Sequence, residues 1–307
     1  MTLAQAPLLT NGATHSAQTF RMMVKDLARG AEGVTEGGDL KVAPLTVPGG
    51  GVLVGDGSGI IRGRAVPWQG HYTAYNIGTE QVTIAPTGGT PRTDMVVLRV
   101  LDPEYEGSRN PAKDKIVAFE VVSGVSAAAT TPPPGFSAIP LARINLPANT
   151  GTITAAMITD LRRIANPRRE RRIQMVRGFP YSQAPRGADW WADWPPEARV
   201  QFEVPSWAVT ANIVTQIGVR FSGQPHTRWR HKFGPLFGAE VVMDDDAISG
   251  SSRGTIMLAD TPQITPALRG TAQILSLQHN ALPGSFDIDV NAGSNCVFDL
   301  EFVEGVL

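Results

Sequence analysis

Residues 49–107 read GGGVLVGDGSGIIRGRAVPWQGHYTAYNIGTEQVTIAPTGGTPRTDMVVLRVLDPEYEG, a run of short apolar clusters separated by glycine, proline and asparagine. Val52, Val54, Ile60, Ile61 and Val66 flank GDGSG, whose glycines supply the positive φ that a tight hairpin connection needs. His71 to Tyr75 and Gln81 to Ala85 form a second pair of β-rich runs around NIGTE. Met95 to Leu101 is more continuously apolar, which predicts a strand buried on both faces. Hardly any group in this stretch has a catalytic arrangement, so it reads as scaffold.

Upstream, Ser16 to Arg29 reads as a helix, with Phe20, Met23, Val24 and Leu27 at the i, i+3, i+4, i+7 spacing of one apolar stripe and Gly30 as its stop. A lone helix of this length is not stable by itself, so the stripe is expected to be buried on the following sheet or on another subunit. Strands begin at Leu40 to Val47. Downstream come the polar loop DPEYEGSRNPAKDK, a strand at Ile116 to Val122, the proline-held loop SAAATTPPPGFSAIP, an alternating strand at Leu141 to Leu146, and a short helix expected over Thr154 to Ile164.

Six arginines, Arg162, Arg163, Arg168, Arg169, Arg171 and Arg172, then fall within eleven residues. They mark a boundary: an N-terminal β-rich domain with an amphipathic helix over 1–165, an arginine-rich connector over 166–174 and a C-terminal domain over 175–307. The last part is strand after strand. Val200, Phe202 and Val204 alternate with polar residues, and further runs follow at 213–221, 240–243, 255–258 and 271–277. The closing pair is clearest: Phe286, Ile288 and Val290, a turn at NAGSN, then Cys296, Phe298, Leu300 and Phe302. The fold expected is mainly β, ending in an antiparallel β-sandwich of jelly-roll type.

The ordered series GDGSGIIRG, HYTAYN, PRTDMVVLRVLDPEYEG, GFSAIPLARINLP and MITDLRRIANPRRER resembles the N-terminal attachment module of minor tail proteins from phages of actinobacteria, over about residues 1–172. The resemblance implies a non-enzymatic virion component at the tail tip or baseplate, assembled in the host cytoplasm. Its first half would dock on other tail-tip proteins, and its divergent second half would meet the host. The tail-fibre analogy adds a homotrimer.

Composition narrows the function classes. Gly 32 and Pro 24 among 307 residues favour turns and short strands over long helices. A formal net charge of −1 offers no field for nucleic acid or an anionic membrane. The chain opens MTLAQAPLLTNGATHS, without a basic stretch leading into an apolar core, and no apolar run approaches membrane-spanning length, so neither a secretory signal nor membrane insertion is expected. The single cysteine, Cys296, excludes an intramolecular disulfide and a multi-cysteine metal site.

Two aromatic clusters are the candidate chemistry. YSQAPRGADWWADWPPEAR carries Tyr181, Trp190, Trp191 and Trp194, with Asp189 and Asp193 between them. Indole faces stack on sugar rings and carboxylates accept hydroxyl hydrogen bonds, so the cluster fits a glycan contact; the same rings also fit the end of a sandwich or a subunit interface. QPHTRWRHKF, read as a loop between strands, joins His226, Trp229, Arg230, His231 and Lys232, with Trp229 and Arg230 suited to phosphate or an acidic wall polymer. Its two histidines lack the further ligands of a zinc site. Asp244 to Asp246 lack the spacing of a calcium loop and read as a charged hairpin tip. No GxSxG, HExxH or GxxxxGKS occurs. Neither cofactor nor metal is expected, and a wall-glycan depolymerase or a purely structural tail component stands as the alternative to an adhesion protein. The arginines read as a solvated connector partly balanced by Glu170, or as groups converging near a three-fold axis.

Overall fold

The computed structural model describes residues 11–186, 190–282, 285 and 287–307. The chain forms two compact units, Met1–Pro167 with Val306–Leu307, and Arg168–Gly305. The boundary falls inside the arginine-rich segment.

The first unit contains three antiparallel sheets. Gly57–Arg62 lies between Gly33–Val34 and His71–Asn76; Gly51–Val54 lies between Val42–Pro44 and Glu80–Thr83; and Arg92–Val100 lies between Val117–Ser123 and Ala138–Leu146, with Ile158–Asp160 at the far edge. Arg92–Val100 is buried on both faces, as its apolar run predicts. Val96, Leu98 and Val100 enter the main core with Val52, Val54, Ile61 and Ile139, while Met95 and Val97 pack on the other side with Ala138, Phe136 and Leu161. Full burial of each such side chain contributes about 1.5–3 kcal/mol.

GDGSG does not close a hairpin. The strands on its two sides belong to different sheets, and so do those around NIGTE. Asp39 diverts the chain: its Oδ2 accepts Ser58 N at 3.2 Å and Glu36 N at 3.1 Å, and it lies so near Gly57 that a Cβ there would fall 2.5 Å away. Gly57, at φ +127°, is the residue that admits this approach.

The helix α1 spans Ala17–Leu27, with Ser16 Oγ accepting Thr19 N. Its apolar stripe is only partly covered within the chain, with Met23 and Val24 half-buried. Phe20 and Leu27 are 46% and 72% exposed, whereas Arg21 is the helix residue that is buried. Arg21 donates to Gln69 O at 2.8 Å, Glu104 Oε2 at 2.8 Å, Tyr105 Oη at 3.0 Å and Asp102 Oδ2 at 3.3 Å, and its guanidinium stands over the Tyr72 and Tyr105 rings. The helix expected over Thr154 to Ile164 is also replaced, by one 3₁₀ turn at Ala155–Met157 and the strand Ile158–Asp160, because the edge of Ala138–Leu146 offers it a ladder.

The second unit has eight principal strands: β1 Arg169–Arg177, β2 Arg199–Glu203, β3 Ala208–Ser222, β4 His226–Phe233, β5 Val241–Asp244, β6 Ser251–Asp260, β7 Ala272–Ala281 and β8 Asn295–Glu304. One sheet runs β1-β8-β3-β6 and the other β2-β7-β4-β5, all antiparallel. This is the double Greek-key order of a jelly roll. Ile217, Phe221, Phe298, Leu300 and Phe302 of the first sheet share one core with Phe202, Trp229, Phe233, Leu275 and Leu277 of the second. Cys296, Phe298, Leu300 and Phe302 alternate inward as predicted; Phe286 lies outside the described residues.

Two expectations about charged segments are corrected. QPHTRWRHKF is not a loop but mostly β4, in which Thr227, Trp229, His231 and Phe233 are buried. The arginine run is not an open connector either. Arg162 is buried in the first unit, bonded to Asp160 and to the carbonyls of Gly37, Asp39 and Leu307, and Arg163 is exposed. Arg168 pairs with Glu304, Arg169 with Glu301, Arg171 with Asp299 and Arg172 with Glu170, so carboxylates of this chain meet these four cations. β1 is an edge strand, and cationic side chains along an edge oppose pairing with another chain.

Candidate functional site

The pleat of the second sheet sorts the aromatic clusters into two sets. Ala192–Asp193 is a short strand paired to β7, with Ala192 opposite His279 and Asp193 opposite Gln278; across β7, His279 faces Trp229 and Gln278 faces Arg230. The row Ala192, His279, Trp229 points into the core, and the row Asp193, Gln278, Arg230 points outward.

The inner row corrects two candidate residues. Trp194 and Trp229 are buried core side chains with ring centroids 5.7 Å apart, and His279 lies 5.6 Å and 5.0 Å from them. Their indole N–H groups donate to Ser182 Oγ and Thr227 Oγ1, both at 3.0 Å, so neither ring is offered to a ligand. Burial lowers the pKa of His279 to about 4, and both ring nitrogens lack a hydrogen-bond partner. His231, also buried, has its pKa lowered to about 4 by burial, partly opposed by Asp260; its Nε2 meets Thr215 Oγ1 at 2.8 Å.

The outer row is polar and tightly bonded. Lys232 Nζ donates to Asp193 Oδ2 at 2.6 Å, Gln278 Nε2 to Asp193 Oδ1 at 2.7 Å, and Arg230 Nε to Gln278 Oε1 at 2.8 Å. The Arg230 guanidinium lies between two rings, 4.1 Å from the Trp191 centroid and 4.5 Å from that of Phe237. Burial acts to raise the pKa of Asp193, but the Lys232 and Gln278 hydrogen bonds and the Lys232 charge outweigh it and hold the carboxyl below its usual value.

Beside this row opens a hollow of about 410 Å³ lined by Asp193, Pro195, Arg199, Lys232, Gln273 and Ser276, among others. Trp190, 53% exposed, is tied to the same sheet by Asn280 Nδ2, which donates to its carbonyl at 2.9 Å. Tyr181 is exposed but leads into Ser182–Gln183, which pairs with Asp287–Val290 beside β3 in the other sheet. Asp189 lies outside the described residues. Among the described residues, no group of three His, Cys, Asp or Glu side chains could hold a metal ion.

The structure thus joins Trp191, Asp193, Arg230 and Lys232 and adds Gln278 and Phe237. Gln278 was invisible as a site residue because only the register of β7 places it between Asp193 and Arg230. The arrangement provides fixed hydrogen-bond donors and acceptors beside the Trp191 indole, which suits a neutral or weakly charged polyhydroxyl ligand.

No protein-family model matches the sequence, and a comparison with curated proteins finds no match. Among solved structures, the VP2 subviral particle of infectious bursal disease virus aligns over 90% of this chain and 74% of that one, at 9% identity and a TM-score of 0.27. The T13 particle of the same virus aligns over 94% and 80%, at 13% identity and a TM-score of 0.22. A structure of carbohydrate-binding modules from the β-sandwich superfamily aligns over 89% and 100%, at 11% identity and a TM-score of 0.21. Overlaps of this size do not establish a shared fold or function.

Proposed function

We propose that this chain is a structural and adhesion component of a phage tail tip or baseplate. Its first unit docks on neighbouring tail proteins, and its jelly roll holds a host cell-wall glycan by binding without turnover. The site reading rests on one observation: the bonded row Asp193, Gln278, Arg230 and Lys232, with the Trp191 ring on Arg230, runs beside a 410 Å³ hollow. The virion assignment rests on the ordered motifs of residues 1–172. A homotrimer follows from the tail-fibre analogy, and several weak sites on one particle would add by multivalency.

Sedimentation of the full chain with purified actinobacterial cell walls tests the adhesion role. Binding is expected, with loss in Trp190→Ala and in Lys232→Gln while thermal unfolding is unchanged. Absence of wall binding would leave a purely structural tail component. Release of soluble saccharide from the walls would establish a depolymerase instead. A monomer by mass measurement would overturn the trimer.

A further inference from the structure

The first unit contains a separate cationic hollow that the adhesion role does not use. A cavity of about 190 Å³ lies between the end of α1, the last residue of Gly57–Arg62 and the first of His71–Asn76, lined by Lys25, Arg62, His71 and the backbone of Gly30, Gly63 and Gly70, with Pro67 at its rim. At roughly 30 Å³ per water, it has room for about six waters or one partly hydrated tetrahedral oxyanion.

Among the described residues, three basic side chains and no carboxylate line it. Elsewhere in the unit Arg21, Arg64, Arg92, Arg99 and Arg162 are each held by an acidic side chain. Among the described residues, Lys25 and Arg62 have no such ion pair, although Arg62 is exposed and Lys25 half-buried. His71 is the third group. It is 2% exposed, and its Nε2 meets Gly30 O at 3.2 Å, a carbonyl that only an N–H can satisfy. Its Nδ1 is buried without a partner. His71 lines this cationic cavity, and its orphaned nitrogen points to a ligand that would complete it.

Two terminal carbonyls of α1 are already bonded. Gly30 N closes on Lys25 O at 2.8 Å and Arg29 N on Asp26 O at 3.0 Å, so a Schellman closure occupies these terminal carbonyls. Packing fixes the walls: a Cβ at Gly70 would fall 2.7 Å from Arg21, and one at Gly63 2.4 Å from the Gln69 side chain.

We propose that this cavity binds one phosphate group, with Arg62 and Lys25 on its oxygens and His71 Nδ1 accepting the O–H of a protonated phosphate. The guanidinium suits paired phosphate oxygens, and the imidazole favours phosphate over sulfate, which carries no proton at neutral pH. The phosphate is either the free ion or part of a larger molecule.

Calorimetric titration of the full chain at constant ionic strength in chloride tests this with inorganic phosphate, glycerol 3-phosphate and sulfate. Saturable phosphate binding is expected, weakened at least about tenfold in Arg62→Gln and in Lys25→Gln, and unchanged in Lys113→Gln outside the cavity. Phosphate should also shift the His71 ring nitrogen resonances. Tighter binding of glycerol 3-phosphate would identify the phosphate of a larger molecule as occupant, and tighter binding of inorganic phosphate the free ion. No saturable response to either, unchanged affinity in both cavity variants, or equal loss in Lys113→Gln would overturn the proposal. Sulfate binding as tight as phosphate would overturn the part given to His71.

Discussion

Asp193 takes Lys232 Nζ at 2.6 Å on the outward row of the second sheet, one residue before Trp194 turns into the core. The carboxylate is half exposed, so the pair contributes no more than about 1 kcal/mol to folding. Asp193→Asn should therefore unfold within about 1 kcal/mol of the parent in urea, yet lose wall binding. Loss of both, or of neither, would argue against the outward row as a binding surface.

The four candidate tryptophans should separate by face. Trp229→Ala should cost about 3–5 kcal/mol, since it removes the largest fully buried side chain of the sandwich. Trp190→Ala should stay within about 0.5 kcal/mol. Denaturant unfolding of the two variants checks the difference directly.

Sequence alternation made the sandwich legible, because Phe298, Leu300 and Phe302 each face inward with polar neighbours between them. The jelly-roll order was legible only as a class, since which strand lies beside which depends on long-range pairing. β4 was misread as a loop because Arg228, Arg230 and Lys232 dominate its composition while the buried set Trp229, His231 and Phe233 occupies alternate positions. The burial of Arg21 on α1 was equally hidden. Arg21 turns inward only because Asp102, Glu104 and Tyr105, some eighty residues away, supply its partners.

Arg21→Ala should consequently destabilise the first unit by about 3–5 kcal/mol, leaving Asp102 partly buried without its cation. Arg21→Lys should recover only a minor part, because one ammonium cannot serve a backbone carbonyl, two carboxylates and a phenol in that fork. Urea unfolding followed by a probe in the first unit measures both.

Acid should weaken the sandwich through its buried histidines. His279 and His231 have folded pKa values of about 4 against an ordinary 6.5, so the unfolded chain binds more protons between those values. Stability is then full above about 6.5 and falls as pH drops through 4, by roughly 3 kcal/mol per histidine over that window. His279→Phe should melt higher than the parent at pH 5 and show a shallower pH slope.

Burial raises the Cys296 thiol to about 12. The folded chain should resist an aromatic disulfide reagent at pH 8, and the denatured chain should react fully. Rapid labelling under native conditions would contradict the inward position of β8.

The chain leaves the first unit after Pro167 and returns to it at Val306, and Arg169 stands opposite Val303 across β1 and β8. The two ends of the jelly roll therefore meet as ladder neighbours, about 5 Å apart. Termini that lie side by side are the geometry at which one domain can be exchanged for another without redesigning the remainder.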